Sequence, residues 1–361
     1  MKEKEKQLFK ALCKFKDEFT DASLIKYATP AVLGHLFFNR MQGIAYDMLK
    51  KNGLLGKVNR EFRNSLGAAY EQNVLKNESF KKCIVMLSEI LSSCTCRVAM
   101  LKGAYLCAHY PDGYRTSNDV DLLVLPKDVT AVGNLLSSTG FKQGNVRNGE
   151  FIPATRQEII ESKMMRGETV PYIKEVNLPF MKFFEVDINF SLDYKNGTGD
   201  TLSDILSGVC IKNENELSIP TLDDADFFIH LCAHLYKEAT TLPWIEMYRD
   251  MTLYKYCDIY MLLSEMTDAE LQRIFARATE LGMEKTCAYT VLETMGLFDM
   301  DNPFAYGVSH VALEDDPDFC LKVISPKDKK VLKYQTADVT ERFFMEARAK
   351  DLKEVDENET P

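Results

Sequence analysis

The segment "DVDLLVL", residues 119 to 125, constrains the fold more than any other stretch, because an apolar run that wants burial begins with two carboxylates. In a strand, residues two apart point to the same face, so Asp119 and Asp121 project side by side while Val120 points the other way. Two ionised carboxylates that close repel each other. The repulsion is relieved when one carries a proton or when a divalent cation sits between them, and Mg²⁺ prefers hard oxygens from one or two carboxylates plus phosphate. The bland alternative is a solvated strand edge whose charges discourage aggregation.

Two further segments bear on the choice. In "FFEVDINF", Glu185, Asp187 and Asn189 alternate with Val186, Ile188 and Phe190, the pattern of a half-polar strand. Asp187 is then a third carboxylate on a separate strand, as two-metal phosphoryl or nucleotidyl transfer requires. Upstream, "RVAML" reads as a strand followed by "KG" and one or two helical turns. Gly103 lets backbone approach an anion, the helix start points amide hydrogens at it, and Lys102 or Arg115 would neutralise triphosphate charge. Equally, Lys102 can snorkel over the sheet edge and Arg115 can form a structural ion pair with Asp119.

The 361 residues suffice for about two domains, and 44 basic against 54 acidic residues leave a net charge of −10. That charge disfavours a whole surface gripping nucleic acid, while a local basic cleft stays compatible. No stretch approaches the roughly 18 apolar residues of a membrane span, and the N-terminus is charged and amphipathic, so a cytoplasmic protein with no membrane partner is expected. The ten cysteines include a lone C-x-C, Cys94 and Cys96, and no C-x-x-C, so buried thiols rather than structural zinc are expected. His230 and His234 share a helix face without the glutamate of H-E-x-x-H, and a solvated helix face is the expectation for them.

Apolar spacing of three and four makes 1–95 an N-terminal helical region. A mixed-sheet α+β core is expected over 96–220, with 142–179 polar and irregular. A C-terminal helical region spans 221–345, its first helix starting near Leu222 from the capping-box pair Thr221 and Asp224. Residues 346–361 form an acidic tail without core residues, expected to be disordered.

The order "LKG", "RTSNDVDLLV", "VDINF" resembles the DNA polymerase beta-type nucleotidyltransferase superfamily, with its Gly turn after a strand, Asp-x-Asp pair and later single acid. Within it the chain is most similar to an uncharacterised bacterial nucleotidyltransferase family carrying a Lys-Gly turn and an Arg four residues before the first Asp, the spacing of Arg115 and Asp119. The resemblance implies a small mixed sheet flanked by helices, with Asp119 and Asp121 on two Mg²⁺ ions and Asp187 completing the catalytic ion's shell. Lys102, Gly103 and Arg115 would meet the nucleotide phosphates. The turn reads Lys-Gly-Ala rather than Gly-Ser, and Asn189 stands where relatives often have His.

The expected activity is transfer of a nucleoside monophosphate from an NTP to an acceptor hydroxyl on a small molecule, protein or RNA, releasing pyrophosphate. No serine, cysteine or histidine nucleophile is needed, because in-line attack at phosphorus relies on positioning and charge stabilisation. The alternatives are a degenerate nucleotidyltransferase fold that binds without turnover and a helical interaction module with an incidental acidic pair.

Overall fold

A computed structural model of the chain describes residues 1–165, 167–192 and 199–355. The chain divides into two compact units, one of residues 1–67 with 228–361, the other of residues 68–227. The joins fall at 67/68 and 227/228 rather than at 95/96 and 220/221. The reason lies in the long helix Arg60–Ser92, whose residues Phe80, Ile84, Leu87 and Leu91 belong to the core of the sheet unit.

That unit has a six-stranded mixed sheet and a separate hairpin, in chain order β1 (Ala99–Met100), β2 (Asp119–Leu123), β3 (Lys142–Arg147), β4 (Glu150–Pro153), β5 (Tyr172–Leu178) and β6 (Met181–Asn189) in the sheet, then β7 (Cys210–Glu214) and β8 (Leu217–Thr221) as the hairpin. The sheet order is β1-β2-β6-β5-β3-β4, with β2 and β6 parallel and their other neighbours antiparallel. The architecture is therefore mixed α+β with flanking helices, as the sequence implied.

Alternation explains why β2 and β6 occupy the centre. Val120 and Leu122 on β2, with Val186 and Ile188 on β6, are fully buried and pack with Met100, Phe184, Val132 and Leu136 from the neighbouring elements. Removing each such side chain from water contributes roughly 1.5–3 kcal/mol. The opposite face of the same strands carries Asp119, Asp121, Glu185, Asp187 and Asn189, all half-buried.

The stretch 142–179 is not irregular: it holds β3, β4, the helix Arg156–Met165 and β5. Its hairpin strands are short and only partly buried, so hydrophobic alternation barely marks them. The C-terminal helix start also moves. Thr221 ends β8 and donates its hydroxyl to the Met100 carbonyl at 2.6 Å, so Asp223 caps the helix Asp224–Ala239 instead, accepting from the Asp226 amide at 2.9 Å.

The second unit is mainly helical. Its helix Leu253–Glu265 is buried on most of its surface, and Tyr260 stacks on Phe298 of the helix Glu284–Phe298 at a ring separation of 4.3 Å. His230 is buried at 8% exposure and His234 is half-buried beside Glu238, so these histidines do not form a solvated face. Their sequence neighbours Phe228, Ile229, Leu231 and Cys232 are buried as well.

Part of the expected tail is ordered. Leu352–Glu354 pairs with the strand Lys330–Tyr334, Leu352 packs on the small core of Ile245, Val323 and Tyr334, and Arg348 makes a buried two-pronged pair with Asp250 at 2.7 and 2.8 Å. Acidic composition hid these few anchoring residues. The remainder of that acidic stretch, 356–361, lies outside the described residues. Among the described residues no helix is long and apolar enough to cross a membrane.

Candidate active site

The parallel register of β2 and β6 sets the site. Asp119 lies opposite Glu185, Asp121 opposite Asp187, and Leu123 opposite Asn189. Two residues per face per strand therefore bring four carboxylates onto one half-buried patch. Glu168, bridged to Asn189 at the end of β6, adds a fifth acid whose charge acts on Asp187.

The two carboxylates of β2 each have an identifiable support. The Ser117 hydroxyl donates to Asp119 Oδ1 at 2.7 Å, and the Asn189 amide donates to Asp121 Oδ1 at 3.4 Å. Lys102 Nζ stands 3.6 Å from Asp121 Oδ2. Asn189 and Lys102 thus both reach the second Asp of the pair.

The helix Lys102–His109 begins beside this patch. Leu101 donates its amide to the Asp121 carbonyl at 2.8 Å, pinning the helix start to β2. A Cβ on Gly103 would meet the Asp119 carbonyl at 3.0 Å and the Ser117 hydroxyl at 3.3 Å, so this glycine permits close approach of helix and strand. Its missing side chain is required by packing, independently of any phosphate.

Arg115 lies in the loop before β2, where its guanidinium donates to the Thr116 carbonyl at 3.0 Å. Two asparagines one turn apart on the long helix hold that loop. Asn77, at 1% exposure, accepts from the Gly113 amide at 3.0 Å and donates to the Arg115 carbonyl at 2.5 Å, while Asn73 donates to the Gly113 carbonyl at 3.0 Å. Gly113 adopts φ +85°, and a side chain there would strike the Tyr70 ring at 2.6 Å. Asn77→Ala removes the side-chain partner of the Gly113 amide and a strong donor to the Arg115 carbonyl, and is expected to cost about 1–3 kcal/mol, read from the shift of the denaturant midpoint.

Electrostatics at the patch are unfavourable to four ionised acids. Burial, then Asp121, Asp119, Glu168 and Glu185, push the Asp187 carboxyl up from 3.8 to about 8, and burial with Asp119 raises Glu185. A carboxyl whose folded value is raised binds protons more tightly when folded, so its contribution to stability is full at low pH and is lost as pH rises toward about 8. Without divalent cation, the melting temperature is expected to fall as pH rises from about 3.8 to about 8, and Asp187→Asn is expected to flatten that fall. An unchanged slope in the variant would show that Asp187 is not the group titrating.

The donors are hard oxygens on neighbouring strands, and their mutual repulsion on Asp187 is what a divalent cation relieves, so the chemistry of the set fits Mg²⁺. Among the described residues no three His, Cys, Asp or Glu side chains are already drawn into a closed metal cluster.

The sheet places Asp119, Asp121 and Asp187 together with Lys102 and Gly103 beside them. Ser117, Asn189, Glu168 and the Asn73/Asn77 pair were not assigned roles from sequence. Ser117 and Asn189 sat inside the segments already singled out, at two-residue spacing from the aspartates, whereas nothing local marks Glu168 or Asn77.

A mixed sheet with an Asp-x-Asp strand, a parallel acidic neighbour and a glycine-started helix is the architecture that the sequence resemblance implies for a nucleotidyltransferase. Residues 30–299 match the family described as uncharacterised nucleotidyltransferase, and the chain belongs to that family. No curated protein matches the chain.

Proposed function

We propose that the chain is a Mg²⁺-dependent enzyme that transfers a nucleoside monophosphate from an NTP to an acceptor hydroxyl with release of pyrophosphate. The observation that carries this reading is the register of two parallel strands that sets Asp121 opposite Asp187 and places Asp119 on the same face. Bound there, Mg²⁺ ions would neutralise phosphate charge and stabilise the attacking and leaving oxygens.

The chain's own residues divide the work. Asp119 and Asp121 would hold both ions, oriented by Ser117 and Asn189. Asp187 would complete the set and take the proton of the acceptor hydroxyl as its oxygen attacks the α-phosphorus. Lys102 would turn from Asp121 to the leaving pyrophosphate, with Arg115 and the amides at Gly103 as further phosphate donors. A cytoplasmic setting is supported by the free state of all ten cysteines. The net charge of −10 favours a small or protein acceptor over RNA.

The test is calorimetric titration with ATP, GTP, CTP and UTP, each with and without Mg²⁺, on the parent and on Asp119→Asn, followed by assay of pyrophosphate release. Mg²⁺-dependent binding lost in the variant, together with pyrophosphate release, supports the enzyme. Binding with no release against any hydroxyl acceptor points to the degenerate fold, and no binding at all to an interaction module.

A further inference from the structure

We propose that Cys94 and Cys96 form a dithiol–disulfide exchange site whose reaction partner is a small disulfide of the glutathione class. The two sulfurs stand 2.8 Å apart, and both residues are half-buried. In an extended chain, residues two apart are separated by about 6.6 Å along the strand, so this approach is imposed by the local path. The Cys94 amide is tied to the Leu91 carbonyl at 2.9 Å as the last turn of the long helix closes, and Val98 is already buried ahead of β1. The chain must bend at 95 and 96 to join the two, and the bend turns both thiols to the same spot.

A disulfide needs sulfurs about 2.05 Å apart, so closing the bond requires a shift below about 1 Å. The neighbouring thiol in sequence, Cys83, is buried in the sheet core against Met181 and takes no part. Among the described residues no third His, Cys, Asp or Glu joins the pair into a metal-holding group, which leaves exchange as its chemistry.

The reaction balances in two steps. The Cys94 thiolate attacks one sulfur of glutathione disulfide, forming a mixed disulfide and expelling one glutathione thiolate, which takes up a proton. Cys96 then loses its proton and attacks the Cys94 sulfur, forming the protein disulfide and expelling the second glutathione. Two protein thiols are oxidised and one glutathione disulfide is reduced to two thiols. Burial first, then the hydrogen bond shared between the two thiols, raises the Cys96 thiol above its ordinary range. Such pairs in reducing compartments are transient and responsive rather than structural.

The full-length native protein is incubated with glutathione and glutathione disulfide at stepped ratios, quenched with acid, alkylated and digested. The peptide 83–97, which contains Cys83, Cys94 and Cys96, is then weighed. The expected result is a form lighter by two hydrogens that carries a single alkyl group, on Cys83, and that grows with the oxidised fraction. Cys96→Ser is expected to lose that form and to accumulate a glutathione adduct at Cys94; Cys83→Ser is expected to keep it. Full alkylation of all three thiols at every ratio would overturn the proposal, as would a light form that disappears in Cys83→Ser. The readout needs no enzymatic activity, so its outcome is independent of the proposed transfer reaction.

Discussion

Asp121→Asn is expected to lower the rate of nucleotidyl transfer by about a thousandfold or more while the protein stays folded. A cation at such a site supplies several kcal/mol of charge stabilisation in the transition state, and each 1.4 kcal/mol is about tenfold in rate. The substitution keeps shape and removes one negative charge. It also removes a partner of Lys102 at 3.6 Å and turns the Asn189 contact into an amide–amide pair. Losing one of several crowded acids relieves repulsion on Asp187, whose carboxyl is pushed up partly by Asp121. Thermal stability without Mg²⁺ is therefore expected to be equal to or above that of the parent. On the proposed function, Mg²⁺ with NTP is expected to raise the melting temperature of the parent and not that of the variant. Activity measured beside melting temperature separates the two effects: retained activity would remove Asp121 from the metal set, and loss of activity through unfolding would appear as a lowered melting temperature.

What could be read from sequence follows the range over which each constraint acts. The Asp-x-Asp strand and "FFEVDINF" announce themselves because alternation of buried and polar residues is local, and the parallel pairing in the structure sets their acids side by side. The hairpin β3–β4 was invisible because neither strand is buried deeply enough to alternate. Thr221 carries a strong capping signal, yet its hydroxyl is taken by Met100 across the fold, and local sequence cannot report that competition. Asn77 is the same case within the site, since an asparagine inside a helix carries no sign that a distant loop will use both ends of its amide. The C-terminal segment failed for a different reason: composition averages over residues, while its order rests on a few anchors, among them Leu352, Arg348 and Asp351.

Arg348→Ala is expected to be among the most destabilising single changes outside the sheet unit, costing about 3–5 kcal/mol. The reason is what it leaves behind. Asp250 has no exposure, and its two carboxylate oxygens accept from Arg348 Nε and Nη2 at 2.8 and 2.7 Å, so the substitution strands a buried charge. Arg348 also donates to the Phe343 carbonyl at 3.2 Å, which fixes the segment leading to Leu352. Paired burial of two ions is itself close to neutral, because desolvation offsets most of the Coulombic attraction. The double variant Asp250→Ala, Arg348→Ala is therefore expected to recover part of the loss, leaving a coupling energy of about 1–3 kcal/mol between the two sites. Chemical unfolding of the parent, both single variants and the double variant closes the cycle. Additive losses would mean that Arg348 acts through packing and the Phe343 contact rather than through Asp250. Non-additive losses would identify the buried pair as the lock that orders a segment whose composition alone reads as a disordered tail.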